Sequence, residues 1–366
     1  MTFRARVSSM VEHMWDGNDA WSRTARSFLV PAEWLFTRAV DRRNRGYEQM
    51  PTLNAPLAAI SVGNLTVGGT GKTPVAAWCV SQLRAAGARP AVVMRGYGDD
   101  EWRVHALLNP GAPVIVAADR REGLITARVR GADCAVLDDA FQHRRVARAA
   151  DVVLVSADRW RDEVRLLPAG PFREPLRALQ RAHVVVVTVK AANLALVTRT
   201  VQAVTRAAPA VPVAVVRLVP DTLRLAVTLP REDAPSPGHG VPSSLSPAAS
   251  WLAGRTVHVA TAIGDPTAFV AQLRALGTTV RALHRYPDHH AFSESDVRAI
   301  ATSAAGSDGV VCTLKDAVKL AVLWPREAPP LWYVSQTVVV ERGAEALDRA
   351  LARVLAARAG TAPTAG

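Results

Sequence analysis

The chain has 366 residues, of which 49% are hydrophobic and 21% charged; it can bury one large or two medium cores, and bulk disorder, collagen and coiled coil are excluded. Its formal charge is +12, yet only four of its 44 basic residues are lysines: Lys72, Lys190, Lys315 and Lys319. Codon bias alone produces an Arg-rich, Lys-poor chain, so the charge is weak evidence for a partner, whereas each Lys stands against that trend and is a candidate for a role that an ammonium fills and a guanidinium does not. The three cysteines, Cys79, Cys134 and Cys312, lack metal or redox spacing, which suits a reducing compartment. No run of 18 apolar residues and no compact secretory signal is visible, so a soluble or peripheral protein is expected.

Residues 1–50 hold seven of the 20 aromatics, among them Trp21, Phe28, Trp34 and Phe36, interleaved with Arg23, Arg26, Arg38, Arg42, Arg43 and Arg45. Rings beside guanidiniums suit a helical segment lying in a membrane interface, and equally a hairpin packed on the domain. From about residue 56 short β-branched runs alternate with helical patterns. Strands are expected at Ala58–Val62, Ala91–Met94, Pro113–Val116, Cys134–Leu137, Val152–Val155 and His183–Val189, with a helix at Pro74–Ala86. Near-continuous apolar strands separated by helices predict a parallel sheet covered on both faces. Residues 230–250 turn rich in Pro, Ser and Gly and read as a flexible linker. A second α/β unit follows: strands at Val257–Ala262, Val280–His284 and Gly309–Thr313, with helices after Pro266, from Ser293 and from Lys315. The expected organisation is an N-terminal amphipathic helical segment (1–50), a P-loop parallel-sheet domain (51–229), the linker (230–250) and a smaller α/β domain (251–358).

Gly68-Gly69-Thr70-Gly71-Lys72-Thr73 directly follows a strand and opens a helix. Its glycines let consecutive backbone N–H groups turn toward a phosphate, and the helix N-terminus adds its positive dipole end. Lys72 can then reach the β- and γ-phosphates of ATP, and the Thr73 hydroxyl can bind Mg²⁺. The first glycine of the usual P-loop pattern is replaced by Thr66. Asp138 and Asp139 end an apolar strand on the same edge of the sheet and complete the Mg²⁺ shell or hold its waters. Arg95-Gly96-Tyr97-Gly98 leads to Asp99, Asp100 and Glu101, which can supply a base for a substrate hydroxyl or simply form a solvated turn.

These segments, Ser61–Pro74, Arg95–Gly98, Asp138–His143 and Leu167–Pro175, together with Pro287–His290 and Lys315–Lys319, resemble the tetraacyldisaccharide 4'-kinases, the lipid A kinases. The resemblance runs in order over nearly the whole chain, and the pairing of D-D-x-F-Q-H with L-P-x-G-P-x-R-E makes it specific. It implies transfer of the ATP γ-phosphoryl group to the 4'-hydroxyl of an acylated disaccharide 1-phosphate. The implied setting is the cytoplasmic face of the inner membrane, with an N-terminal segment on the phospholipid surface and an active site between two α/β domains. It also implies a catalytic pair of Asp100 and His289, with Glu101 helping at Mg²⁺. Arg120 and Arg173 are then arginines for the ATP phosphates or the substrate 1-phosphate, and Gln142 and His143 orient substrate or nucleotide.

Four positions depart from the family pattern: Ala140 stands for Gly, Asp99 and Trp102 flank Asp100-Glu101 where Gly and Pro are usual, and Leu314 replaces a commonly acidic residue. If Ala140 needs a positive φ, the cost is about 1 kcal/mol. The register around Asp99 and Asp100 leaves either as the catalytic carboxylate. Three other readings are weaker. A nucleotide-switch ATPase usually carries a second lysine where Val67 stands; a zinc cluster of His284, Asp288, His289 and His290 lacks closed-site spacing; and no clustered basic helix points to nucleic acid. No obligate protein partner is evident.

Overall fold

The computed structural model describes residues 10–11, 13–17, 19–96, 101–229 and 247–361. The chain divides into two compact units, the first from residues 1–97, 105–217 and 338–366, the second from 98–104 and 218–337.

The first unit is a parallel sheet ordered β3-β2-β4-β1-β5-β6-β7. Its strands are β1 (Ala58–Asn64), β2 (Pro90–Met94), β3 (Val114–Val116), β4 (Cys134–Asp138), β5 (Ala150–Ser156), β6 (Val184–Val189) and β7 (Val213–Leu225), the last of which continues into the second unit. All of β1, β2, β4, β5 and β6 is buried, so these strands read as unbroken Val, Ile, Leu and Ala runs instead of alternating ones. Their expected positions agree with the observed ones to within two residues at each end. Helices α1 (Ala20–Phe28), α2 (Val30–Gln49), α3 (Lys72–Ala85), α4 (Glu101–Leu108), α5 (Arg120–Val129) and α6 (Leu194–Ala207) follow in chain order, α4 beginning in the second unit. Asp119 caps α5 by accepting from the amides of Arg121 and Glu122. All three cysteines are free and buried, and burial pushes the Cys79 and Cys134 thiols up to about 12.

α2 is anchored to the rest of the first unit, and both α1 and α2 are partly bare. Phe36 packs against the core, Glu33 accepts from the Leu166 amide, and Asn44 donates to the buried Glu174. Along the remaining face Trp21, Phe28 (81% exposed), Trp34 (55% exposed) and Leu35 stand in solvent, with the Arg38 guanidinium over the Trp34 ring. Among the described residues no helix is long and apolar enough to cross a membrane.

The second unit is a parallel sheet in which β10 (Val310–Thr313) lies between β11 (Leu331–Arg342) and β8 (Thr256–Thr261), and β8 pairs in turn with β9 (Thr279–Arg285). Helices α7 (Pro266–Ala275), α8 (Glu294–Ser303) and α9 (Leu314–Leu323) accompany it; Ser293 and Asp296 form a reciprocal capping box on α8. Leu223, Leu252, Val259, Phe269, Leu273 and Val311 make its core. The chain then returns: helix α10 (Ala344–Thr361) packs on β1 and α3 of the first unit. Residues 230–246 of the expected linker lie outside the described residues.

Candidate active site

Parallel pairing brings the carboxyl ends of β1, β4, β5 and β6 to one edge of the first unit, with Val62 opposite Asp138 and Ser156 opposite Thr188. The loop after β1 is held from several sides. Gly68 and Gly71 take φ values of 101° and 85°, the left-handed region open to glycine, and Gly71 is the N-cap of α3. The buried Thr70 hydroxyl accepts from Asn64 Nδ2 at 2.8 Å. The Leu167–Pro175 motif is laced to the same loop: the Val67 amide donates to Pro171 O at 2.8 Å and the Arg173 amide to Leu65 O at 2.6 Å. This is a strand, a glycine turn and a helix N-terminus with Lys72 on the first helical turn, the arrangement that binds a phosphate chain.

The twin aspartates face opposite ways, as neighbours at a strand end do. Asp139 lies 3.7 Å from Lys72 Nζ and takes a two-pronged contact from Arg173, at 3.0 and 3.2 Å. The Arg173 guanidinium also donates to Asn64 Oδ1. Burial pushes the Asp139 carboxyl up, but the Lys72 ammonium and Arg173 guanidinium outweigh it and hold the group below its ordinary range. Asp138 turns inward: its Oδ1 accepts from the Asp139 amide at 2.9 Å, and its Oδ2 lies 2.9 Å from His105 Nε2. His105 is 0% exposed and Asp138 7%. His105 Nδ1 is buried without a hydrogen-bond partner, so the Nε2–H tautomer satisfies the pair best: it aims the one ring proton at the carboxylate.

Of Arg120, Gln142 and His143, expected at the phosphates, nucleotide or substrate, the first two lie against the backbone of the same edge. Arg120 is buried and donates to Ala117 O and to the backbone oxygen of Asp138, at 2.9 and 3.3 Å. Gln142 Nε2 donates to Asn64 O at 2.8 Å. Burial first, then the charge of Arg120, lowers the His143 pKa below its ordinary value. Arg120 and Gln142 thus brace the backbone that carries Asp138 and Asn64. The positive φ suspected at Ala140 falls one residue earlier, on Asp139 at 48°, so Ala140 carries no such strain. The adjoining Gly63 makes the close approach instead, since a Cβ there would stand 2.6 Å from Phe141 Cβ.

In the second unit Glu101 Oε1 is 3.7 Å from His289 Nε2. Lys315 Nζ lies 3.1 Å from both His289 Nε2 and Asp288 Oδ1, and its ammonium therefore points at the imidazole lone pair. His289 adopts φ 62°, its amide donating to Ala262 O at 3.3 Å. The Ala262 amide is in turn fixed by the buried Asp316, at 2.9 Å. Asp100, with Asp99, lies outside the described residues. Of the four residues suspected of a zinc cluster, Asp288 and His289 stay together on Lys315, while His284 pairs with His258 at 3.1 Å and His290 with Asp296 at 3.1 Å.

Sequence reasoning missed His105 and Asn64, and it marked Lys190 as a candidate without finding its role. His105 follows Glu101 by four residues on α4, which is a helical spacing, but an isolated His signals nothing until Asp138 is seen beside it. As a metal site, Thr73, Asp138 and Asp139 offer hydroxyl and carboxylate oxygens alone, the hard donor set that suits Mg²⁺.

The family model for tetraacyldisaccharide-1-P 4'-kinase matches residues 25–110 and 100–356. The tetraacyldisaccharide 4'-kinase of Anaeromyxobacter sp. (strain K) is 35% identical over 359 residues, covering 90% of each chain. That of Methylobacillus flagellatus is 31% identical over 372 residues, covering 96% of each. The crystal structure of LpxK from Aquifex aeolicus in complex with ATP superposes with a TM-score of 0.66 at 25% identity, covering 90% of this chain and 99% of that one. On sequence and fold alike, the chain belongs to the tetraacyldisaccharide 4'-kinase family.

Proposed function

We propose that the protein is a lipid kinase that transfers the γ-phosphoryl group of ATP to the 4'-hydroxyl of tetraacyldisaccharide 1-phosphate. The observation that carries this reading is the phosphate loop with Lys72 and Arg173 converging on Asp139 at the end of β4, in a chain of this family. The loop amides and Lys72 would hold the phosphates; Thr73 would bind Mg²⁺, with Asp138 and Asp139 as ligands or holding its waters, and the ion would neutralise charge on the phosphate oxygens. Arg173 keeps Asp139 ionised and aimed. The acceptor oxygen attacks phosphorus, the bridging P–O bond breaks, and the hydroxyl proton passes to a carboxylate among residues 99–101 that His289 assists. Because phosphoryl transfer runs through a loose transition state, placing the hydroxyl matters more than its early deprotonation.

The exposed Trp21, Phe28, Trp34 and Leu35, with arginines among them, support a peripheral seat on a phospholipid surface, at the cytoplasmic face of the inner membrane. Val67 stands exposed where a switch ATPase carries its second lysine, and that alternative is not retained. Incubation with γ-labelled ATP, Mg²⁺ and tetraacyldisaccharide 1-phosphate should give a bisphosphorylated lipid, and Lys72→Ala should abolish it. Absence of labelled lipid with the folded wild-type chain would overturn the assignment.

A further inference from the structure

We propose that Lys190, together with Thr188, is a positioning device for the phosphate loop: from the tip of β6 the pair grips two consecutive loop carbonyls and so fixes where the loop amides point. The inference rests on reading Gly68–Thr73 as the nucleotide cradle. Lys190 Nζ donates to Gly69 O at 3.1 Å, and Thr188 Oγ1 donates to Thr70 O at 2.9 Å. Thr188 is buried on β6, and Lys190 is partly buried immediately beyond it.

A trans peptide sets its C=O and N–H on opposite sides, so a carbonyl held toward β6 turns the following amide away from β6. Through Thr188 this orients the Gly71 amide, and through Lys190 that of Thr70, which closes the tight turn on Gly68 O at 2.9 Å. The Lys190 end is itself rigid. The Asp158 carboxylate accepts from the amides of Lys190, Ala191 and Ala192, at 2.8, 2.7 and 2.7 Å. The ammonium matters for its shape: it meets one carbonyl as a compact point donor, whereas a guanidinium is a planar fork. At Gly68 the loop is also crowded, since a Cβ there would fall 2.4 Å from Arg159 Nη1. The loop is thus clamped at Gly69 and Thr70 before nucleotide arrives, which removes part of the ordering cost of binding.

The test is steady-state kinetics of full-length Lys190→Met, Lys190→Arg and Thr188→Val, varying ATP and tetraacyldisaccharide 1-phosphate separately, with melting curves on each. A hydrogen bond from a charged donor predicts a rise of roughly tenfold or more in the ATP KM of Lys190→Met. The KM for the lipid should not move, and kcat should fall by less than the ATP KM rises. Thr188→Val should show the same split to a smaller degree, and Lys190→Arg should fall between wild type and Lys190→Met. An unchanged ATP KM in Lys190→Met overturns the proposal, whether or not its melting temperature drops; if that variant does not fold, Thr188→Val decides by the same criterion. Lys72→Ala serves as the reference. If it keeps wild-type ATP binding and turnover the cradle reading itself fails, whereas loss there with no effect at Lys190 or Thr188 sinks only the clamp.

Discussion

Replacing His105 by Leu tests whether the imidazole that holds Asp138 keeps that carboxylate in place beside the metal site. The pair is almost wholly buried, with Nε2 to Oδ2 at 2.9 Å and a second, backbone hydrogen bond on Oδ1. A hydrogen bond to a charged group is worth about 1.5–3 kcal/mol, and Leu offers no substitute donor, so one side of the carboxylate is left facing hydrocarbon. If Asp138 can no longer hold its geometry toward Mg²⁺, that energy appears as a loss of roughly 10- to 150-fold in kcat/KM or in apparent Mg²⁺ affinity. The assay is initial rate against Mg²⁺ concentration at saturating ATP and lipid, beside thermal melts. His105→Gln, whose amide nitrogen can stand where Nε2 stands, should recover most of the loss. A His105→Leu enzyme with a wild-type Mg²⁺ profile, only less stable, would refute the reasoning and leave His105 as packing.

Glu101→Gln and His289→Asn should each lower kcat by tenfold or more while leaving the ATP KM within about twofold, as expected for groups acting in the transition state on the acceptor hydroxyl; a changed ATP KM with unchanged kcat would move both into nucleotide binding. Lys315→Met, which removes the ammonium lying 3.1 Å from His289 Nε2, should shift the pH profile of kcat, and a profile that only scales down would make Lys315 structural. Trp34→Glu combined with Phe28→Glu should weaken flotation with anionic liposomes by tenfold or more without lowering the melting temperature; unchanged flotation rejects the interfacial face. For His143, His183, His258 and His284, burial is the largest cause of a folded pKa below the ordinary 6.5. The unfolded chain therefore binds more protons below that value, so their contribution to stability is present above pH 6.5 and is lost as pH falls through the folded pKa values. Melting temperature should drop between pH 7.5 and 5.5, and a rise over that interval would contradict the shifts.

Much of this fold was legible because parallel strands buried on both faces leave a plain trace. Runs such as Val184–Val189 admit no alternation, and their positions matched. What the sequence hid has physical causes. β7 carries Pro220, Asp221 and Thr222 inside a 13-residue strand whose burial breaks up toward its end, so it does not read as one buried run. β11 likewise loses its buried face along its length. The return of α10 onto β1 and α3 is a long-range contact that no local pattern encodes. At the site, phosphate chemistry asks for glycines, a lysine and carboxylates on a loop and at strand ends, so the motif pattern points to those positions. A polar side chain in a motif, such as Arg120 or Gln142, suggests a phosphate, nucleotide or substrate contact, and the backbone hydrogen bond that each makes is visible only in the coordinates.

The lysines give the strongest case for reading composition as chemistry. All four that persist against 40 arginines meet a motif segment: Lys72 the Asp139 carboxylate, Lys190 the Gly69 carbonyl, Lys315 the Asp288–His289 pair and Lys319 the His290 carbonyl. Two of these acceptors are single backbone oxygens, for which a compact three-donor ammonium needs no plane and no second acceptor. Carboxylates that take a forked contact, by contrast, are met by arginine, as Asp139 is by Arg173. The same Asp139 therefore shows both preferences at once, a guanidinium laid against its two oxygens and an ammonium set to one side where phosphate must also be reached. An Arg at 72 would compete with Arg173 for that fork, which is a physical reason for lysine to survive there under a composition that otherwise replaces it.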